Sequence, residues 1–410
     1  MGMKKYKLGE YLDSFGDGIH GTPKYDEYGD YYFINGNNLN DGKIEITSKT
    51  LKVSANEYEK IKRNLNEKSL LVSINGTLGN IAFYNGERIA LGKSACFLNL
   101  KEFSCREYLR YVLETKEFKS YMNRVAGQST IKNVSPTQIS EFEFYAPLLS
   151  TQQKIADVLS SLDDKITLNK KINAKLEAMA KRLYDYWFVQ FDFPNEEGKP
   201  YKSSGGKMVW NEVLKRKIPE GWEVGNLYEI ADYINGLACQ NYRPQDEEIF
   251  LPVIKIKEMH EGITSDTEKV SATIPEKYII FDGDILFSWS ATLEVMIWTG
   301  GKGGLNQHIF KVVPKSYFTK EYVFQQLSSY IVNFQKMAEA RKTTMGHITS
   351  DHINQSRIVI PPKEVINAFS EKTLPIFNYQ LTIQKEIQKL TKLRDRLLPL
   401  LMNGQVEVEG

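Results

Sequence analysis

Two sets of loop residues carry the polar chemistry of this chain. The first comprises Asn37, Asn38, Asn75, Lys93, Ser129, Thr130, Lys132 and Asn133. The second comprises Lys255, Lys257, Trp289, Asn306, Gln307, His308, Lys342, Thr343, Thr344 and His347. Asn and Gln amides can pair in bidentate fashion with adenine, Lys meets guanine or phosphate, and Ser and Thr hydroxyls suit either. Such surfaces fit duplex DNA, although ordinary solvated loops have the same composition.

The tools of a self-contained enzyme are missing. Gly300 to Gly304 reads GGKGG, which shares composition with a phosphate loop but not the spacing GxxxxGK[ST]. The five histidines include one close pair, His347 and His352, whose separation does not place both on one helix face. HExxH, GxSxG, paired-cysteine zinc spacing and an NPPY-type tetrapeptide are all absent from the sequence. No catalytic residue and no metal ligand is therefore assigned.

The elements that must position these loops can be read from pattern. With 410 residues, 41% hydrophobic and 25% charged, the chain fits two ordinary domains plus extra elements. A net charge of only +2 permits a nucleic-acid partner, provided folding gathers scattered cations onto one face. Three cysteines, Cys96, Cys105 and Cys239, form no CxxC, so a reducing cytoplasm is expected rather than a disulfide framework. Neither a secretion signal nor an apolar run long enough to span a membrane is seen.

Strands are expected at 70–74 (LLVSI), 81–84 (IAFY), 96–100 (CFLNL) and 142–146 (FEFYA), separated by turns such as Asn75-Gly76 and Asn85-Gly86. A helix is expected to open at Ser104 with Glu107 as its capping-box partner, carrying Tyr108, Leu109, Val112, Leu113 and Tyr121 on one face. Residues 191–206, FDFPNEEGKPYKSSGG, read as a linker without regular structure.

Beyond the linker the chain repeats itself. VSINGTLGN from Val72 matches FSWSATLEV from Phe287, Tyr108 and Leu113 match Tyr322 and Leu327, and STIKNVSPTQI matches TTMGHITSDHI. FEFYAP matches RIVIPP, so that Pro147 corresponds to Pro361, an offset of 214 residues. Each copy is followed by a stretch with heptad spacing. In 151–188 the seam is Leu159, Leu162, Ile166, Asn169, Asn173, Leu176, Ala180, Leu183 and Trp187. In 369–402 the matching positions are Thr373, Ile376, Gln380, Ile383, Ile387, Leu390, Arg394, Leu397 and Leu401. Asn169 and Asn173 either fix the register of a helix pair or face solvent at a loose point. The second helix is expected to begin near Pro375 and to kink or end near Pro399.

The stretches APLLSTQQKIADVLSSLDDKI, IPEGWEVGNLYEIADYINGL, IVIPP and LRDRLLPLLMNGQVEV, in this order, resemble the specificity subunit of type I restriction-modification enzymes. The resemblance spans nearly the whole chain. It implies an α+β fold of two similar β-rich target-recognition domains, joined by two long helices in an antiparallel coiled coil with a pseudo-two-fold arrangement. The expected limits are 1–147 for the first domain, 148–192 for the central helix, 193–217 for the linker, 218–361 for the second domain and 362–410 for the C-terminal helix and tail. It further implies that each domain reads one half of a split target in double-stranded DNA. The expected partners are methyltransferase subunits, two in number, and restriction subunits, which would hold S-adenosylmethionine, ATP and magnesium. A reading of another class is a non-catalytic adhesive or carbohydrate-binding scaffold, whose sugar sites could draw on the 23 Tyr, 20 Phe and 5 Trp. Salt would separate the two, because phosphate contacts give a steep salt dependence that sugar sites lack.

Overall fold

The computed structural model describes residues 2–127, 132–290, 292–340 and 348–408. The fold is α+β and divides into two compact units, residues 1–166 with 390–410, and residues 167–389.

In the first unit the hydrophobic runs form a four-stranded antiparallel sheet in the order Leu12–Asp17, Ala95–Leu100, Ser69–Ser73 and Ile81–Phe83. The strands expected at 70–74, 81–84, 96–100 and 142–146 appear as Ser69–Ser73, Ile81–Phe83, Ala95–Leu100 and Glu143–Ala146. Ser69–Ser73 and Ala95–Leu100 are buried at every position, as expected of strands covered on both faces. A second sheet sets Tyr31–Ile34 parallel to Ile89–Leu91 and antiparallel to Lys52–Val53.

The helix expected from Ser104 differs in two ways. It runs Arg106–Glu114 with Cys105 at its cap, because the Ser104 hydroxyl donates to the Tyr11 carbonyl instead (3.2 Å). It then breaks at Thr115, whose hydroxyl caps a new helix, Lys116–Val125, by accepting from Phe118 N–H (3.3 Å). Tyr121 thus belongs to the second helix.

The second unit repeats this plan. Its main sheet has the order Ala231–Asn235, Ile309–Pro314, Ile285–Ser288 and Glu294–Ile297. Phe250–Ile254 again pairs parallel to the strand before the long central one, here Gly303–Leu305. The helix that follows is a single run, Lys320–Ala340. Residues 191–206 contain no helix or strand, but they are anchored rather than loose: Phe191 and Phe193 are buried, and Phe193 stacks on Tyr201 with ring centroids 4.6 Å apart.

The two long helices are Leu149–Tyr184, extended by a π-helical turn Asp185–Val189, and Lys363–Met402. The second begins well before Pro375 and passes through it, contrary to the expectation drawn from that proline, and it ends at Met402, close to Pro399 as expected. Proline inside a helix costs about 3 kcal/mol. Ile366 and Phe369, both fully buried in the core of the second unit, each contribute roughly 1.5–3 kcal/mol and outweigh it. Within each unit the helices run antiparallel. In the first, Leu159 shares a core with Leu401, and Asp163 meets Arg394. In the second, Asn169 donates to Glu386 (2.9 Å), Ala180 packs with Ile376 and Phe377, and Trp187 lies 5.7 Å from Phe369.

The joint between domain and helices has two chemistries. In the first unit the Asp163 carboxylate receives Arg110 (3.0 Å), Arg394 (3.1 Å) and the Tyr111 hydroxyl (2.9 Å), while Arg110 also pairs with Glu114 (2.8 Å). At the repeat-equivalent positions the second unit has Phe377 for Asp163, Phe324 for Arg110, Gln325 for Tyr111, Ser328 for Glu114 and Ala180 for Arg394. Phe324 and Phe377 meet edge to face at 5.5 Å. One joint is ionic and the other apolar.

Candidate nucleic-acid interface

In the first unit four loops come together at one edge of the sheets. The Ser94 hydroxyl accepts from Gly36 N–H (2.9 Å) and donates to Asn35 Oδ1 (3.0 Å), tying the short helical turn Gly36–Asn38 to the turn that carries Lys93. The Ser94 carbonyl accepts from Ile74 N–H (3.0 Å), and the Ile74 carbonyl accepts from Val134 N–H (2.9 Å). Asn75 then donates through its amide to Asn133 Oδ1 (3.2 Å), and Gly76 N–H to the Lys132 carbonyl (3.2 Å). Glycine makes this approach possible: a Cβ on Gly92 would stand 2.3 Å from Asn35 Oδ1.

Asn37, Asn75, Lys93, Lys132 and Asn133 are therefore neighbours, although they come from distant parts of the sequence. Asn37, Lys93, Lys132 and Asn133 are exposed, and Lys132 is steadied by donating to Asn123 Oδ1 (2.6 Å). Asn38 is different. Its Oδ1 accepts from Asn35 N–H (3.0 Å) and its Nδ2 donates to the Glu45 carbonyl (3.0 Å), so both ends of the amide are spent on the loop. It shapes the edge through one acceptor and one donor site of its amide. Ser129 and Thr130 lie outside the described residues.

The second unit builds the same edge with other side chains. Lys255 takes the place of Asn35, with Glu258 capping its N–H (3.1 Å) as Asn38 caps Asn35. Asn306 N–H donates to the Ile254 carbonyl (3.1 Å) as Gly92 does to Ile34 (2.8 Å), and Ile348 N–H to Trp289 (3.0 Å) as Val134 does to Ile74. Gly18 and Gly236 meet the same constraint, since a Cβ on either would fall 2.1 Å from a carbonyl oxygen, of Leu91 and of Asn306 respectively.

On this frame Lys257, Gln307 and His308 stand where the first unit has Asn37, Lys93 and Ser94. Lys257 and His308 are exposed. Trp289 is half-buried, donates from its indole N–H to Asn235 Oδ1 (3.1 Å) and lies 5.6 Å from the His308 ring. Lys255 is drawn sideways into an ion pair with Glu268 (2.5 Å), which holds that carboxyl below its usual range. Asn306 corrects the sequence reading: only 6% exposed, it turns its Oδ1 back to accept from His308 N–H (3.3 Å), a loop-shaping role like that of Asn38. Lys342, Thr343, Thr344 and His347 lie outside the described residues. Sequence reasoning missed Ser94 and Asn35, which hold the first edge together; a repeat alignment extended through residues 34–38 and 254–258 could have found them.

The seam residues all turn inward to some degree. Leu159, Ile166, Asn169, Ala180, Trp187, Thr373, Ile376, Ile383 and Leu401 are buried, and Leu162, Asn173, Leu176, Leu183, Gln380, Ile387, Leu390, Arg394 and Leu397 are intermediate. Asn169 is 3% exposed and bonded across the pair to Glu386, which favours the register-fixing alternative for this residue. Asn173 instead donates to Glu177 on its own helix (2.7 Å). Cys96, Cys105 and Cys239 are buried thiols, and no described helix is long and apolar enough to cross a membrane.

Comparison with known proteins agrees with this duplication. The family model described as "Type I restriction modification DNA specificity domain" matches twice, over residues 2–178 and 219–393. The chain is 28% identical over 316 residues to the type I restriction enzyme MjaIX specificity subunit of Methanocaldococcus jannaschii, a match covering 74% of this chain and 69% of that one. It is 25% identical over 355 residues to the HindI specificity subunit of Haemophilus influenzae, covering 73% and 77%. The crystal structure of a type I restriction-modification S subunit from M. genitalium shares the fold, with TM-score 0.59 at 14% identity over 98% of this chain and 96% of that one. With both matched stretches together taking in most of its sequence, the chain belongs to the type I restriction modification DNA specificity domain family.

Proposed function

We propose that the chain reads a bipartite duplex target, one half-sequence per unit, as the non-catalytic subunit of a type I restriction-modification complex in the cytoplasm. The observation that carries this reading is the loop edge built twice on one backbone plan with different side chains exposed on it. A shared frame sets how an edge meets a groove, and the differing amides, ammonium groups and imidazole set which bases it accepts.

Asn37, Asn75, Lys93, Lys132 and Asn133 are the readers of the first half-site in this proposal, with Ser129 and Thr130 beside them in sequence. Lys257, Trp289, Gln307 and His308 read the second, together with the segment of Lys342, Thr343, Thr344 and His347. The long helices act as a spacer: a helix of about 35 residues spans on the order of 50 Å, and two-headed DNA readers contact half-sites about one helical turn apart. Their exposed faces dock two methyltransferase subunits and, through the complex, restriction subunits. Those partners bind S-adenosylmethionine, ATP and magnesium and perform the chemistry.

Single-molecule sequencing of genomic DNA, from cells carrying this chain and its methyltransferase partner, tests the reading. Methylation at a split motif with an unread spacer is expected. Absence of any such motif would overturn it.

A further inference from the structure

A frame built twice separates positions where the units differ from positions where they agree. Lys52 and Lys269 agree. In the first unit Lys52 pairs with Tyr32 on the strand that leads into Asn35, and Phe33 N–H donates to the Leu51 carbonyl (2.7 Å). In the second, Lys269 pairs with Pro252 on the strand that leads into Lys255, and Val253 N–H donates to the Glu268 carbonyl (2.8 Å). Both strands enter the loop edge in the same register against their parallel neighbours, with Ile34 opposite Leu91 and Ile254 opposite Leu305. The two lysines therefore hold one structural position, each opposite a residue that stands three places before the edge residue, Asn35 or Lys255.

Nothing inside the fold engages their charge. Other cations also correspond between the units, but the backbone holds them: Lys101 and Lys315 donate to the carbonyls of Glu10 (2.9 Å) and Tyr228 (2.8 Å), and Arg106 and Lys320 to those of Tyr84 (3.1 Å) and Gly283 (2.9 Å). The ammonium groups of Lys52 and Lys269 have neither a hydrogen bond nor an ion pair among the described residues. Each lies over an aromatic ring, Tyr32 at 5.3 Å and Phe250 at 4.0 Å, which steadies the charge without neutralising it. In the second unit Lys269 also shares an open cleft of about 390 Å³ with Gln240 and Arg243, and the one carboxylate on its wall, Glu268, is already paired with Lys255.

A side chain that meets bases must differ between units that read different sequences, whereas one that meets the sugar-phosphate backbone can stay the same. We propose that Lys52 and Lys269 each hold a backbone phosphate flanking the half-site of their own unit, fixing how the edge sits on the duplex without selecting a sequence. Three residues of strand span about 10 Å, which sets that phosphate roughly three base pairs from the bases read. The inference deepens the DNA-reading proposal and rests on it.

The test uses the full chain with its methyltransferase partner and duplexes bearing the mapped target. Lys52→Gln and Lys269→Gln should each weaken binding about three- to tenfold, lower the slope of log K against log salt by about one, and leave both methylated half-sequences as they were. Methylphosphonate substitution of the DNA removes one phosphate charge at a time. At one flanking position per half-site it should weaken the unaltered protein as much as the lysine variant does, and cost the matching variant nothing further. Lys52→Arg and Lys269→Arg should restore affinity and slope, which separates a lost charge from a disturbed fold. Unchanged affinity and slope would leave the lysines as guards of an exposed strand edge and overturn the proposal. A changed half-sequence, or additive losses from methylphosphonate and variant at every position, would overturn it as well. If the unaltered protein binds no duplex, the DNA-reading proposal itself falls and takes this inference with it.

Discussion

The two units share the strand order of their main four-stranded sheets and the hydrogen bonds of their loop edges, yet they differ in the side chains those edges expose and in the joint with the long helices. At the loop edge, Asn37, Lys93 and Ser94 face Lys257, Gln307 and His308 as counterparts. At the joint with the long helices, a cluster around Asp163 in the first unit corresponds to a pair of phenylalanines in the second. What stayed the same is the backbone frame, fixed by close contacts such as those at Gly18 and Gly236 that admit no side chain. The difference teaches that the frame is tolerant wherever a local set of residues can change together.

Four experiments break or sharpen this comparison. The largest effect is expected at the ionic joint. Asp163→Ala leaves Arg110 and Arg394 facing each other without their shared carboxylate and should cost about 3–5 kcal/mol in urea unfolding. Grafting the other joint, Arg110→Phe with Glu114→Ser, Asp163→Phe and Arg394→Ala, should recover most of that loss. A cost below about 1 kcal/mol for Asp163→Ala would show that the cluster is spectator to stability. Phe377→Ala in the second unit should cost about 3 kcal/mol by cavity formation, and added salt should leave that cost unchanged.

A middle-sized effect is expected at the edges. Lys132→Ala and Lys257→Ala should each weaken DNA retention by about 1–3 kcal/mol and act on opposite half-sites. Equal loss on targets altered in either half would mark both as nonspecific phosphate contacts. The smallest effect concerns Lys255 and Glu268, a pair for which Asn35 in the first unit offers no ionic counterpart. The Glu268 carboxyl sits below its ordinary range because Lys255 bonds and attracts it. Its contribution to stability is therefore present above the unfolded-state value and fades as pH falls through the folded one. Lys255→Met should flatten that part of an acid-unfolding curve, modestly, since the pair is exposed.

Much of the architecture is legible in the amino-acid sequence. The repeat, four of the first unit's strands and the two seams follow from hydrophobic spacing, which survives because burial enforces it, whereas Leu12–Asp17 and Tyr31–Ile34 were not expected. Proline alone misplaces the start of the C-terminal helix, because its local cost is visible in sequence whereas the burial of Ile366 and Phe369 that outweighs it is tertiary. The site was half legible. Residue type could not separate Asn37, which is exposed, from Asn38, half-buried with its amide bonded to the loop at both ends, nor expose Asn306 as buried. The ionic joint escaped for the same reason. Asp163 lies next to a seam position rather than on it, and its three donors come from two other helices.

The central claim is that one frame presents two independent readers. Replacing Lys257, Gln307 and His308 together by their first-unit counterparts, Asn, Lys and Ser, and mapping methylation by single-molecule sequencing tests it most directly. The account predicts that one half-sequence changes or loses definition, while the other half and the spacer length stay as they were. A change in both halves, or in neither, would contradict it.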